Sequence, residues 1–357
     1  MIPSHQLISL SNVNGVGPRR IRSILRNYPQ LENITQLTKS DICQVEGISQ
    51  DTARKIINID LDFGKIAIEE SHKVGAKYIT YWDDEYPELL KVVWDSPIGI
   101  FTLGEISTNN MIGVVGTRLP SSYGKKIVET ITRELVKSGF TIVSGLARGI
   151  DTNAHKTAVK YGGNTIAVLG NGIDICYPSE NIELRNKIIN TGALISEFVP
   201  KTQPDAINFP KRNRIISGLS LGTVVIEAGG KSGAVITALN ALDQNREVFA
   251  IPGRIDSKQS KGCNRLIQQG AKLVTNIDDI LEELNIHITQ KPKQVELLPE
   301  LNSREKPVYK ILSNDPIHID YICEQLKQDA PEVLSVLLML ELKNLVAQHP
   351  GKLFTIA

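Results

Sequence analysis

Ser144-Gly145-Leu146-Ala147-Arg148-Gly149-Ile150-Asp151 lies between an apolar run, Phe140 to Val143, and a helix-like stretch that opens at Thr152. A short apolar strand that ends in glycines and an arginine, then opens a helix, is one unit of an α/β fold with room for an anion at its turn. Gly145 and Gly149 let backbone N–H groups approach a ligand closely. Arg148 adds a fork of donors that matches phosphate oxygens. Asp151 is a natural helix N-cap, and a carboxylate there repels a phosphate placed on the helix end. The anion is therefore expected beside the turn, near Arg148. A tight structural turn would read the same way, so the neighbouring units have to decide.

Those units repeat from residue 111 onward. Apolar runs at 111–115, 140–143, 165–169, 193–196, 223–226, 247–251 and 272–275 alternate with helical stretches at 121–138, 152–161, 180–190, 211–219, 233–244, 262–269 and 277–284. Seven short strands alternating with helices predict a doubly wound, mostly parallel sheet covered on both faces, over residues 109–285. Ligands on such sheets bind outside the carboxyl ends of the strands. Glycine and basic residues recur there: Gly116-Thr117-Arg118, then Ser144–Asp151, then Gly170-Asn171-Gly172. Further along come Phe209-Pro210-Lys211-Arg212-Asn213-Arg214, Gly229-Gly230-Lys231-Ser232 and Gly253-Arg254. One such turn is unremarkable; the set points to a shared groove, with Phe209, Tyr123 and Tyr177 available to stack bases.

The flanks read differently. Residues 1–70 carry a near-repeat, Gly15-Val16-Gly17-Pro18 before one amphipathic helix and Glu46-Gly47-Ile48-Ser49 before another, the pattern of a helix-hairpin-helix (SAM-like) domain. Such hairpins place backbone N–H groups on DNA phosphates, with Arg19, Arg20 and Arg22 positioned to assist. Residues 71–108, aromatic and acidic around Tyr81 to Tyr86, read as a connector that packs on the core. Residues 286–304 are a polar, proline-bearing linker. In 305–357, helical stretches at 305–313, 318–328 and 331–343 precede a hairpin about His349-Pro350-Gly351, a winged-helix pattern. Its third helix holds no Lys or Arg from Val333 to Leu342, which favours a partner-binding or structural role over base reading.

Composition excludes several classes. The chain has 357 residues, 41% hydrophobic and 22% charged, with net charge +1. It is no polycation, yet residues 111–160 hold eight Lys/Arg against three acids, a local basic surface on a neutral protein. No apolar run spans a membrane, the start lacks a secretory signal, and Cys43, Cys176, Cys263 and Cys323 are scattered. A reduced, cytoplasmic protein without a metal site or cofactor is expected. Gly230-Lys231-Ser232 is no Walker motif, because Val225 stands where the first glycine belongs. No nucleophile–base set is evident, and His155, one turn into its helix, reads as packed. The chain is equipped to hold a phosphate chain rather than break it.

These residues resemble the DprA/Smf family of DNA-processing proteins. The likeness rests on Val115-Gly116-Thr117-Arg118, Ser122-Tyr123-Gly124, Ser144–Asp151 with His155, Tyr177-Pro178, Asn181, Ser196-Glu197, Phe209-Pro210 with Arg212 to Ser220, Glu227-Ala228 and Ala250-Ile251-Pro252-Gly253. It implies a Rossmann-like core that binds single-stranded DNA without sequence preference, as a homodimer. It also implies loading of RecA on incoming strands in natural transformation, with no catalytic turnover. Carried onto this chain, it marks Arg118 and the Lys211–Arg214 run as DNA-binding. An alternative is a nucleotide N-glycoside hydrolase of the lysine-decarboxylase-like Rossmann group. That reading lacks support at Ala228 to Thr237, where the expected proline, threonine and catalytic acid are missing.

Overall fold

The computed structural model describes residues 2–107, 110–230, 232–286, 301–313, 315–343 and 345–356. They form two compact units, divided between residues 287 and 288.

The first unit opens with five helices: α1 (Ser4–Asn12), α2 (Pro18–Asn27), α3 (Lys39–Cys43), α4 (Gln50–Ile57) and α5 (Leu61–Lys73). Gly15 makes the first hairpin turn at φ +88°, and Pro18 starts α2, where its missing N–H costs nothing. Ser49 caps α4 by accepting from the Thr52 N–H. Ile21, Ile24, Ile42, Ala53 and Ile56 fill the small core between the two hairpins. α1 packs on α5 at Gly64, whose missing side chain lets the His5 carbonyl approach.

The next stretch departs from the sequence expectation. Beyond packing on the core, β1 (Lys77–Thr80), α6 (Glu88–Lys91) and β2 (Gly99–Gly104) extend the sheet itself. β1 pairs antiparallel with β2, and β2 pairs antiparallel with a core strand near Ile195. The sheet thus has nine strands where periodicity gives seven. The aromatic and acidic run between these two strands hides their alternation.

The core follows as β3 (Met111–Gly116), α7 (Ser122–Lys137), β4 (Thr141–Ser144), α8 (Ile150–Lys160), β5 (Thr165–Leu169), α9 (Ile182–Thr191) and β6 (Ala193–Ser196). Then come α10 (Asn208–Leu219), β7 (Gly222–Ile226), α11 (Gly233–Asp243), β8 (Glu247–Ala250), α12 (Lys261–Gln268), β9 (Lys272–Leu273) and α13 (Asp278–Glu283). Strand order is β1-β2-β6-β5-β4-β3-β7-β8-β9, parallel from β6 through β9. Both faces are covered, so the strands read as unbroken apolar runs. Ile112, Val114 and Ile142 pack on Val128, Leu135 and Ala154, while Val115, Val143 and Ile166 pack on Ile215, Leu219 and Ala238. The chain winds from β3 toward β6, then crosses to β7 on the other side of β3. That reversal opens a crevice at the carboxyl ends of β3 and β7.

The second unit is a winged helix: α14 (Glu305–Ile311), β10 (Ile317–His318), α15 (Ile319–Leu326), α16 (Ala330–Leu342), β11 (Val346–His349) and β12 (Leu353–Ile356). Its three strands order β10-β12-β11, and Gly351 turns the wing at φ +87°. Val333, Leu337 and Leu340 bury the inner stripe of α16 against Val308, Ile319 and Ile322.

Candidate nucleic-acid interface

At the end of β4, Gly149 holds the N-cap position of α8 at φ +83°, a conformation that favours glycine. Asp151 stands in the first helical turn rather than before it. Its buried carboxylate accepts from the Gly145 N–H at 3.1 Å and from the Ala147 N–H. The expected helix cap is therefore a tie across the loop. The Gly145 amide is consumed by that tie, and its missing side chain makes room for the Arg212 guanidinium, 2.5 Å from where a Cβ would stand. Gly149 presses the loop onto the Thr117 and Arg118 carbonyls, and Gly116 packs on the Ile226 carbonyl. These glycines serve chain-to-chain approach, which corrects the expectation that they open space for a ligand. Burial pushes the Asp151 carboxyl up to about 6, with Arg212 opposing. His155, fully buried, sits with Nδ1 2.7 Å from Thr165 Oγ1. Burial, then the Arg212 charge, pushes its imidazole down to about 3, so it is a neutral packing residue.

In the crevice, the Thr117 N–H donates to the Glu227 carbonyl at 2.7 Å. Glu227 is buried at the end of β7, and its carboxylate accepts from the Ser121 N–H at 2.8 Å and from the Ser121 hydroxyl. Ser121 in turn caps α7, accepting from the Gly124 N–H. A Cβ on Gly124 would overlap the Glu227 carboxylate. The helix end where this fold class seats a cofactor phosphate is thus filled by a carboxylate of the protein itself. Sequence reading passed over this role of Glu227, although an acid ending the strand beside the crevice was its signal.

The basic residues separate into two sets. α10 begins at Asn208, three residues before the periodicity places it, with Pro210 in the first turn where no N–H is required. The run 211–214 is therefore helical, and its side chains point different ways. Arg212 is 4% exposed and donates to the carbonyls of Gly145, at 2.7 Å, and Val168. Burial pushes its guanidinium down to about 10, against the pull of Asp151. Arg214 bonds both oxygens of Glu197 at 2.6 and 2.7 Å and reaches Asp95 at 3.1 Å. Both were expected to face a ligand; both instead hold loops of the core together. The hairpin arginines are similarly engaged. Arg22 donates to the carbonyls of Ser96 and Trp94, at 2.8 and 2.6 Å, Arg19 lies 3.7 Å over the Trp94 ring, and Arg20 bonds the Gly15 carbonyl. Arg22 and Arg19 thus fasten the hairpin domain to the 94–96 segment, while Arg19 stays exposed and Arg20 half-buried.

Arg118 and Arg148 remain exposed at the strand ends. The Arg118 guanidinium lies 5.7 Å from the centre of Phe209, and Phe209 stacks on Tyr177 at 5.5 Å and 29°. Arg148 forms a two-pronged pair with Glu180 at 2.5 and 3.1 Å, both side chains more than half exposed. An exposed pair of this kind contributes little to stability, so Arg148 can exchange Glu180 for a phosphate. Arg118, Arg148, Gly170, Tyr177 and Phe209 line one narrow cleft. Thr117 adjoins it through the neighbouring pocket, and Ser144 lies buried below, donating its hydroxyl to the Val114 carbonyl at 2.6 Å. Lys211 is exposed on the opposite side of α10, and Tyr123 is tied to the Pro252 carbonyl at 2.9 Å. Lys231 lies outside the described residues.

This is a Rossmann-type core, its cofactor position closed by carboxylates, carried between a helix-hairpin-helix module and a winged helix. Residues 77–285 match DNA recombination-mediator protein A, 292–352 the DprA winged helix domain and 7–59 the SAM-like Helix-hairpin-helix tandem. The chain belongs to the DprA/Smf family of DNA recombination mediators. Protein Smf of Synechocystis is 32% identical over 383 residues, covering 96% of each chain. DNA processing protein DprA of Bacillus subtilis is 43% identical over 60% of this chain and 75% of its own. Among solved structures, DprA of Streptococcus pneumoniae superposes with TM-score 0.69 at 35% identity, covering 80% of this chain and all of that one. DNA processing protein A of Helicobacter pylori, solved to describe its single-stranded DNA binding mode, superposes with TM-score 0.53 at 28% identity over 59% of this chain and 96% of that one.

Proposed function

We propose that this chain binds single-stranded DNA without sequence preference at the strand-end cleft. Arg118 and Arg148 take phosphates, and the Phe209–Tyr177 stack takes a base. The observation that carries the reading is the conjunction at Phe209: a cation over one ring, a second ring beside it, and an arginine held by an exchangeable surface pair. Stacking plus backbone cations is the sequence-tolerant mode of single-strand recognition. The Helicobacter pylori relative, described for single-stranded DNA binding, supports the same ligand.

Membership in a family of DNA recombination mediators supports a further step. The protein would act as a cytoplasmic homodimer that protects incoming strands in transformation and loads RecA on them. No bond is broken in this scheme. The helix ends that would hold a nucleotide phosphate carry Glu227 and Asp151 instead, and His155 is sealed in the core. A competition experiment tests the reading. Unlabelled single strands should displace a bound single-stranded probe far better than the same sequence as duplex, whatever that sequence is. Equal displacement by duplex, or release of free base from nucleoside monophosphates, would overturn it.

A further inference from the structure

α10 has two faces, and each lines a different depression. Phe209 faces the strand-end cleft, with buried Arg212 beneath it, whereas Asn208, Lys211 and Arg214, spaced three apart, line a groove between the core and the first hairpin. The groove holds about 600 Å³, in the middle of the roughly 300–1,000 Å³ of ordinary ligand sites. Its wall is aromatic: Phe63, Tyr78 and Phe198 are half-buried there, with Phe101 beneath, 4.8 Å from the Tyr78 ring. Gly99 keeps this wall open, because a Cβ there would overlap the Tyr78 ring. The hairpin turn at Gly17 and Pro18, with Ser11 and Asn12 at the end of α1, forms the opposite lip. Two acids also line it, Asp95 and Glu197, and both are paired to Arg214. Lys211 is exposed, and no ion pair holds it among the described residues.

We infer that this groove is a second subsite for the same strand, taking bases that have passed over the first turn of α10. The inference rests on the reading of the cleft as a single-stranded DNA site. Lys211 stands where the strand would cross from one depression to the other, so a phosphate there is met by its ammonium. Half-exposed rings beyond it supply the stacking surface that every base shares. In this arrangement the hairpin domain sets the length of strand held, rather than acting as a separate DNA reader. A peptide would use the aromatic wall as well, but it would have no reason to continue from the cleft over a lysine.

The test uses the full chain and oligothymidylates of about 6 and about 15 nucleotides, titrated by fluorescence anisotropy at one salt concentration. Longer strands gain some affinity from extra registers alone, so the quantity read is the long-to-short affinity ratio of wild type against variants. Phe198→Ala removes a groove ring, and Ser11→Glu, on the exposed lip, adds a repelling charge without touching the core. Both should cut the ratio by roughly tenfold while leaving the short oligonucleotide unaffected. Arg118→Ala should weaken both lengths. Unchanged ratios in both groove variants would overturn the second subsite, including the case in which the groove serves a peptide or a second copy of the chain. If Arg118→Ala left the short oligonucleotide untouched, the cleft reading itself would fail, separately from the groove.

Discussion

The strand ends of the core and the outer face of α16 are both places where their folds commonly meet nucleic acid, and they are built from opposite materials. The core presents Arg118, Arg148, Phe209 and Tyr177 together. The outer face of α16 presents Leu334, Leu338, Met339 and Leu342, all exposed, on a helix whose charged residues are Glu332 and Glu341. A duplex-reading helix would carry donors for base edges, and this one would repel the backbone it approached. Fold alone therefore does not choose between the two regions; the proposed DNA site rests on side-chain chemistry. Basic character alone does not assign it either. Arg118 and Arg212 flank the same ring, at 5.7 and 5.9 Å, yet one is exposed and the other sealed in the core.

The largest effect expected from these contrasts is on stability. Arg212→Ala removes the charge that offsets the buried Asp151 carboxylate and takes a donor from the Gly145 and Val168 carbonyls. It should destabilise the core by about 3–5 kcal/mol, read by denaturant unfolding. A variant as stable as wild type would return Arg212 to the ligand-binding set. Phe209→Leu keeps an apolar body but no ring face, and should weaken single-stranded DNA roughly tenfold with little loss of stability. Loss of fold instead would make Phe209 a core residue.

A smaller effect concerns pH. Unfolded, His155 takes a proton near its ordinary 6.5, whereas the folded core keeps it neutral down to about 3. The unfolded state binds more protons in that window, so stability falls as pH drops below about 6.5. Asp151 acts the other way. Its folded carboxyl protonates near 6 against an ordinary 3.8, which returns part of the loss across that lower window. In His155→Asn, melting temperature should stop falling on acidification from about pH 7 to about pH 4.5, while wild type declines. Parallel curves would contradict the buried, neutral assignment. The smallest expected effect is none: Leu338→Lys, on α16, should leave single-stranded DNA affinity within about twofold. A strong gain or loss there would dissolve the contrast between the two regions.

The sequence carried most of the core. Unbroken apolar runs such as Thr165–Leu169 and capped helices such as Ser122–Lys137 are local signals, and they fall close to where the sequence pattern puts them. β2 escaped because its core partner is distant, β6 some ninety residues on, and β1, a four-residue edge strand, carries little pattern of its own. At the site, residue types were legible but directions were not. Lys211, Arg212 and Arg214 read as one basic stretch, until helical winding sent one to a groove and two into ion and hydrogen-bond networks. Gly145 and Gly149 show the same limit. A glycine announces close approach, but not whether the approaching group is a ligand or the chain.

The central claim is that exposed cations at the strand ends hold the phosphates of single-stranded DNA. It is tested most directly by a salt series of single-stranded DNA affinity for wild type and Arg118→Ala. Removing one phosphate contact should lower affinity for every sequence alike and make the slope of log affinity against log salt shallower by about 0.7. An unchanged slope with undiminished affinity would place the DNA elsewhere on the molecule.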